Sequence, residues 1–314
     1  MSLNLTSTIA KFLQNTPEQK FTPREIVEWV YKNYPDRYQE KQARSTATAI
    51  PLDNDKALLQ QIAAEIGSQK PALQKKYPKI KTTEGRPRKY YFTESTDSTE
   101  VTRSEDSESD ITSSSTIAIT KEYQLYSILS EFLWSELGIY SKRIDEKRSS
   151  NQKSSKGNKW LYPDIVAIED LSKNWHDEIK HCTREYSDKK TKLWSFEVKT
   201  LVNRSNVREV FFHTVSNSSW ANFGYLVASE IQGSETLREL GILSSLHGIG
   251  FIRLDIENPS ESQIIITAKE KTKIDWDTAN RLAEENKDFL KYIKLIRQFY
   301  QTGDIRKSDW DLLS

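Results

Sequence analysis

The chain has 314 residues and a formal net charge of +1, so it is long enough for two domains, and its total charge argues neither for nor against a nucleic-acid partner. A 36% hydrophobic and 11% aromatic content, with eight Trp and fourteen Tyr, indicates a globular chain with a buried core. A single cysteine, Cys182, excludes an intramolecular disulfide and a cysteine-based zinc finger, and four scattered histidines make a structural zinc site a poor fit. No apolar run reaches the length of a membrane span, and the N-terminus lacks the basic-then-apolar pattern of a secretory leader. A soluble cytoplasmic protein with no membrane partner is the expectation.

Residues 1–94 read as a small helical domain. Leu3, Leu5, Ile9, Phe12 and Leu13 recur at helical spacing until Thr16-Pro17. Thr22-Pro23-Arg24-Glu25 is an N-cap, a proline at the first helical position and a glutamate at the third, which predicts a second helix buried through Ile26, Val27, Trp29, Val30 and Tyr34. A third helix is expected over Leu58–Leu73, and an extra one around Tyr38–Thr48. Ile80–Thr83, Glu84-Gly85-Arg86-Pro87 and Arg88–Phe92 then read as strand, turn, strand. Three helices and a hairpin make the winged helix-turn-helix plan. Lys70, Lys75, Lys76, Lys81, Arg86, Arg88 and Lys89 are opposed only by Glu84, and a basic hairpin of this kind suits phosphate and groove contact with double-stranded DNA. The same bases would also suit the solvated face of a protein-binding domain. The element order resembles that of the HARE-type winged helices.

Residues 95–118 are Ser, Thr, Asp and Glu almost throughout. Such a composition buries too little surface to fold alone, so a flexible acidic linker is expected.

Residues 119–314 alternate helix and strand. Lys121–Leu137 carries the stripe Leu125, Tyr126, Leu129, Phe132 and Leu133, and Glu122 lies on that same apolar face. Ile139–Ile144 reads as a strand. The loop after it is rich in Ser, Asn and Gly, and its lysines, Lys153 and Lys156 among them, suit a clamp on DNA phosphates. Leu161–Ile168 and Leu193–Val198 are apolar strand-like runs that carry charge where a buried strand should have none. The first holds Asp164 after Pro163; at the end of the second, Glu197 and Lys199 flank Val198. Side chains alternate along a strand, so Glu197 and Lys199 share a face. If the two strands are neighbours, Asp164 and Glu197 converge as hard oxygen ligands with a lysine beside them, which is the chemistry of a magnesium site with a water-orienting or basic group attached. An edge-strand ion pair is the plainer reading. The insert between the strands, Asp170–Lys192, holds His176, His181 and Cys182 at no established ligand spacing, and a helix or lid is expected there. Asn203–Ser218, Glu235–Leu246 and Trp276–Tyr300 read as helices, with strands at Phe223–Ala228 and Gly250–Leu254. This order predicts an α/β/α sandwich around a mixed central sheet.

Pro163-Asp164 followed by I-V-A-I, with Ser195-Phe196-Glu197-Val198-Lys199 downstream, resembles the PD-(D/E)xK nuclease superfamily, the fold of many restriction endonucleases. The resemblance implies Asp164, Glu197 and the backbone carbonyl of Val198 as holders of Mg²⁺, with Mn²⁺ able to substitute. It also implies Lys199 as the residue that orients or deprotonates the attacking water, and a 5′-phosphate and 3′-hydroxyl as products. In that superfamily the helix before the core strands often lends a glutamate, which makes Glu122 a third catalytic acid. Polar residues of the helix after the (D/E)xK strand, here His213 and Asn217, sometimes approach the site. The function so implied is a DNA endonuclease of the restriction-modification type, with a homodimer expected for double-strand cutting. The competing readings are a DNA-binding regulator with an inert nuclease-like domain, and a protein-interaction module. No Gly-rich loop with Lys-Ser/Thr is present, so no nucleotide cofactor is expected.

Overall fold

A computed structural model describes residues 5–35, 55–105, 122–149, 162–185 and 190–311. They form two compact units, one built from the residues up to Thr96 with Gln232–Ser234, the other from Asp97–Ile231 and Glu235 onward.

In the first unit, α1 (Leu5–Asn15), α2 (Pro23–Asn33) and α3 (Asp55–Lys76) precede β1 (Ile80–Thr82) and β2 (Tyr90–Phe92). The Thr22 hydroxyl accepts from the Glu25 backbone N–H while the Glu25 carboxylate accepts from the Thr22 N–H, so α2 starts on a full capping box. Leu13, Ile26, Val30, Leu58, Ile62 and Ile66 meet in one core. The hairpin β1–β2 is antiparallel, and Phe21 adds a further antiparallel bridge to Tyr90. Gly85, at φ 116°, makes the turn where most other residues would be strained. The third helix is longer than its apolar run predicts and continues through Pro71 to Lys76. The extra helix expected around Tyr38–Thr48 lies outside the described residues.

The acidic stretch departs from expectation. Residues 97–105 form a helix, α4, with Val101 buried, and Asn203 donates to the Asp97 carbonyl at 2.9 Å. Acids in its first turn and Arg103 in its last suit the helix dipole, and one buried valine anchors it. Residues 106–121 lie outside the description.

The second unit is an α/β fold around a six-stranded mixed sheet of order β3-β4-β5-β6-β7-β8. Its strands are β3 (Tyr140–Arg143), β4 (Ile165–Asp170), β5 (Thr191–Val202), β6 (Phe223–Ile231), β7 (Gly250–Arg253) and β8 (Gln263–Ile266). β4 runs antiparallel to its neighbours β3 and β5, while β5, β6 and β7 run parallel and β8 antiparallel to β7. Alternation sorts the faces: Ile165, Ala167, Phe196, Val198, Tyr225 and Ile252 pack against Leu125, Leu129 and Leu133 of α5 (Glu122–Leu137). The opposite residues, Leu226, Ala228 and Phe251, meet α7 (Val207–Asn217) and α8 (Ser234–His247). Val166 and Ile168 on that side meet Phe289, Tyr292 and Phe299.

The segment between β4 and β5 contains helix α6 (Asp177–Glu185). The expected closing helix is two, α9 (Trp276–Glu285) and α10 (Lys287–Thr302), broken at Asn286. Asn286 is extended, and its side-chain oxygen accepts from the Asp288 and Phe289 N–H groups, so it caps α10. β8 adds a sixth strand to the five expected. Among the described residues no helix is long and apolar enough to cross a membrane.

Candidate active site

Asp164 lies one residue before β4, where proline ends the preceding loop. Its N–H donates to the Phe196 carbonyl at 3.1 Å, and its carbonyl accepts from Ile144 N–H at 2.9 Å, which holds it between β3 and β5. Its Oδ2 accepts from the Val198 N–H at 2.6 Å. β4 and β5 are thus direct neighbours, with Ile165 opposite Phe196. Val198 points its side chain into the core, so the residues on either side of it, Glu197 and Lys199, point the other way.

Lys199 is the centre of the constellation. Its Nζ lies 3.0 Å from Glu197 Oε1, 3.6 Å from Glu122 Oε2 and 3.9 Å from Asp164 Oδ2, and donates to the Val198 carbonyl at 2.8 Å. The four residues singled out as catalytic therefore meet at one point. Glu197 is 5% exposed and Glu122 36%, so the cluster grades from buried to open. Asn217 Nδ2 donates to Glu197 Oε2 at 2.8 Å and to the Tyr162 carbonyl at 3.0 Å. His213 Nδ1 lies 3.9 Å from Glu197 Oε1. Tyr126, which the sequence presents only as part of an apolar stripe, donates its hydroxyl to Glu122 Oε1 at 2.8 Å and lies 3.4 Å from Asp164 Oδ1. The Arg143 guanidinium stands over the Tyr126 ring, 4.4 Å from its centre.

Electrostatics follow from three carboxylates sharing one ammonium. Burial, reinforced by the charge of Glu197, holds the Asp164 carboxyl well above the ordinary carboxylate range, against the opposing pull of Lys199. Burial works against the Lys199 ammonium, but Glu197, Asp164 and Glu122 outweigh it and hold the group well above the usual lysine value. Burial also raises the Tyr126 phenol, with Asp164 and Glu122 adding to it, so the hydroxyl keeps its proton and acts as a donor.

This donor set fits a hard divalent cation. An excess of buried negative charge is what such an ion relieves, and Asp164, Glu197 and the Val198 carbonyl are the oxygens that can hold it. No three His, Cys, Asp or Glu side chains close on one point in metal-holding geometry among the described residues. Mg²⁺ does not need them, since it keeps several waters and takes one or two carboxylates.

The bases expected to touch DNA divide by burial. Lys75, Lys76 and Arg86 are exposed, while Lys81 and Lys89 are half-buried and Lys81 donates to the Ser95 carbonyl at 3.3 Å. Lys70 is 7% exposed, and its ammonium is spent on Glu84 Oε1 at 2.7 Å. Arg88 holds Glu84 Oε2 at 2.6 Å. Lys70 is therefore a buried ion-pair partner with no access to a phosphate. A signal was present: Lys70 continues the i, i+4 row of Leu58, Ile62 and Ile66 along the inner face of α3. Lys153 and Lys156 lie outside the described residues. In the insert, His181 and Cys182 are exposed, and His176 Nδ1 accepts from the Glu178 N–H at 3.2 Å.

No family model, no curated protein and no solved structure matches this chain.

Proposed function

We propose that this chain is a Mg²⁺-dependent DNA endonuclease of the PD-(D/E)xK type. One observation carries the reading: Asp164, Glu197 and Glu122, from two strands and a helix, converge on the ammonium of Lys199 with negative charge in excess. A structural ion pair needs one acid; this arrangement has three.

Asp164, Glu197 and the Val198 carbonyl would hold the ion. When bound it supplies Lewis-acid polarisation of the phosphate and a lowered pKa for a coordinated water. Asn217 fixes Glu197 through Oε2, leaving Oε1 directed at the site. Tyr126 holds Glu122 beside Asp164. Lys199 stands between the two acids, its Nζ 3.0 Å from Glu197 Oε1 and 3.9 Å from Asp164 Oδ2. It orients the attacking water and offsets charge growing on the phosphate oxygens. Water adds to phosphorus as the bond to the 3′ oxygen breaks; one proton of the water ends on that oxygen, which leaves as the 3′-hydroxyl, and the water oxygen with its other proton remains on the new 5′-phosphate.

The first unit, with its three helices, hairpin and exposed Lys75, Lys76 and Arg86, is proposed as a winged helix that binds the duplex, modified or not. A restriction enzyme of the cytoplasm, acting as a homodimer on both strands, is the reading that joins the two units. The competing reading is a DNA-binding regulator with an inert second unit. It is favoured by Lys199 itself, whose ammonium holds the Val198 carbonyl and Glu197. Incubation of plasmids carrying different base methylations with Mg²⁺ separates the two. The proposal expects cleavage by the native chain that Asp164→Ala and Lys199→Ala abolish. Undiminished cleavage by either variant, or none by the native chain on any substrate, overturns it.

A further inference from the structure

Arg143 is the last residue of β3 and pairs with Ile165, the residue after Asp164. The strand's two bases have opposite fates. Lys142 is 8% exposed and spends its ammonium on the Asp309 carbonyl at 3.0 Å and Asp311 Oδ1 at 3.3 Å. Farther along, Arg148 is committed to Asp288 at 2.6 Å. Arg143 is exposed, and among the described residues its guanidinium meets a ring instead of an acid. Its backbone is pinned, since its N–H donates to Asp311 Oδ2 at 2.7 Å. The platform beneath it, Tyr126, is also the residue whose hydroxyl holds Glu122.

A fixed, accessible guanidinium beside a cluster of excess acid is costly to explain as packing alone, because water solvates it equally well elsewhere. Its planar fork suits a phosphate, and a stacked arginine gives up less freedom on binding one. A polyanion approaching three carboxylates also needs a cation at the rim, which Lys199, 14% exposed and engaged by the acids, does not supply.

We propose that Arg143, held over Tyr126, is a phosphodiester-binding residue of this site, and that it grips the backbone next to the phosphate that is cut. Tyr126 is then a positioning residue for two purposes: its ring sets Arg143 and its hydroxyl sets Glu122. The inference rests on the nuclease reading above.

The two purposes come apart by substitution in the full chain, with duplex binding followed in Ca²⁺ and cleavage in Mg²⁺. Arg143→Gln is expected to raise KM about ten-fold with kcat nearly unchanged, and to lower the salt slope of duplex affinity by about one counterion. Arg143→Lys recovers part of both. Tyr126→Phe keeps the platform, so KM stays and kcat falls about ten-fold; Tyr126→Leu shows both defects. Unchanged KM and salt slope in Arg143→Gln, with normal cleavage by the native chain, overturns this inference and leaves the nuclease reading standing. A native chain that neither binds nor cuts duplex overturns both.

Discussion

Each unit of this protein buries a cluster of charges, and the two clusters are built on opposite arithmetic. In the first unit one acid, Glu84, is shared by two bases, Lys70 and Arg88. Each oxygen of the carboxylate has its own partner, at 2.7 and 2.6 Å, and Thr82 adds a third donor at 3.2 Å. In the second unit one base, Lys199, is shared by three acids at 3.0 to 3.9 Å. The first cluster carries one positive charge in excess, but it falls on Arg88, whose side chain is 38% exposed, so the buried pair of Lys70 and Glu84 is balanced. The second holds more negative charge than it can neutralise, and folding alone gives no reason to keep it. Buried charge is weak evidence of function when it is balanced. Imbalance is the informative quantity.

The comparison breaks most sharply at the second cluster. Asp164→Ala and Lys199→Ala each remove several kcal/mol of transition-state stabilisation, which corresponds to a loss of about 10³-fold in the rate of cleavage. Folding should survive Asp164→Ala, as circular dichroism would check, whereas Lys199→Ala also leaves Glu197 buried without its cation and lowers the stability of the second unit. Glu84→Ala should do the reverse. It leaves Lys70 buried without its carboxylate, at a cost of about 3–5 kcal/mol in the stability of the first unit, while single-turnover cleavage of pre-bound DNA changes little. A denaturant titration reading less than about 1 kcal/mol would remove the structural account of Lys70.

Smaller effects sharpen the contrast. Asn217→Ala frees Glu197 Oε2 from its donor and should lower metal affinity about 10–100-fold, read by Mn²⁺ titration. Asp164→Asn keeps the acceptor for Val198 N–H and removes one negative charge. It should raise the stability of the metal-free protein by about 1 kcal/mol, or roughly 2–4 °C, while abolishing cleavage. Its pH dependence has a definite sign. The folded carboxyl of Asp164 sits above its unfolded value near 4, so the native state holds the proton more tightly. The metal-free protein therefore loses stability as pH rises from about 4 toward the raised folded value, and Asp164→Asn is spared that loss.

Much of the second unit was legible in the sequence because its signals were local. Acids at the ends of apolar runs and a helical stripe at Leu125 each fall within a few residues, as does the capping box at Thr22 in the first unit. What escaped depends on partners far along the chain. Lys70 reads as one more base in a basic tail until Glu84, fourteen residues on, folds over it. Tyr126 reads as core, since only the sheet brings Asp164 to its hydroxyl, thirty-eight residues away. Asn286 hides inside a continuous apolar periodicity because its cap costs the helix one residue. β8 is four residues at a sheet edge with little burial to mark it. Val101 alone, in an acidic stretch, is too little apolar surface to announce a helix.

The claim that the second cluster is charge-unbalanced for the sake of a divalent cation is tested most directly by thermal unfolding of the second unit's transition, in the full chain, against Mg²⁺ concentration. Binding to the native state alone adds RT ln(1 + [L]/Kd). The account predicts a melting temperature that climbs with Mg²⁺ in the native protein and stays flat in Asp164→Asn. A flat response in both, or an equal climb in both, contradicts it.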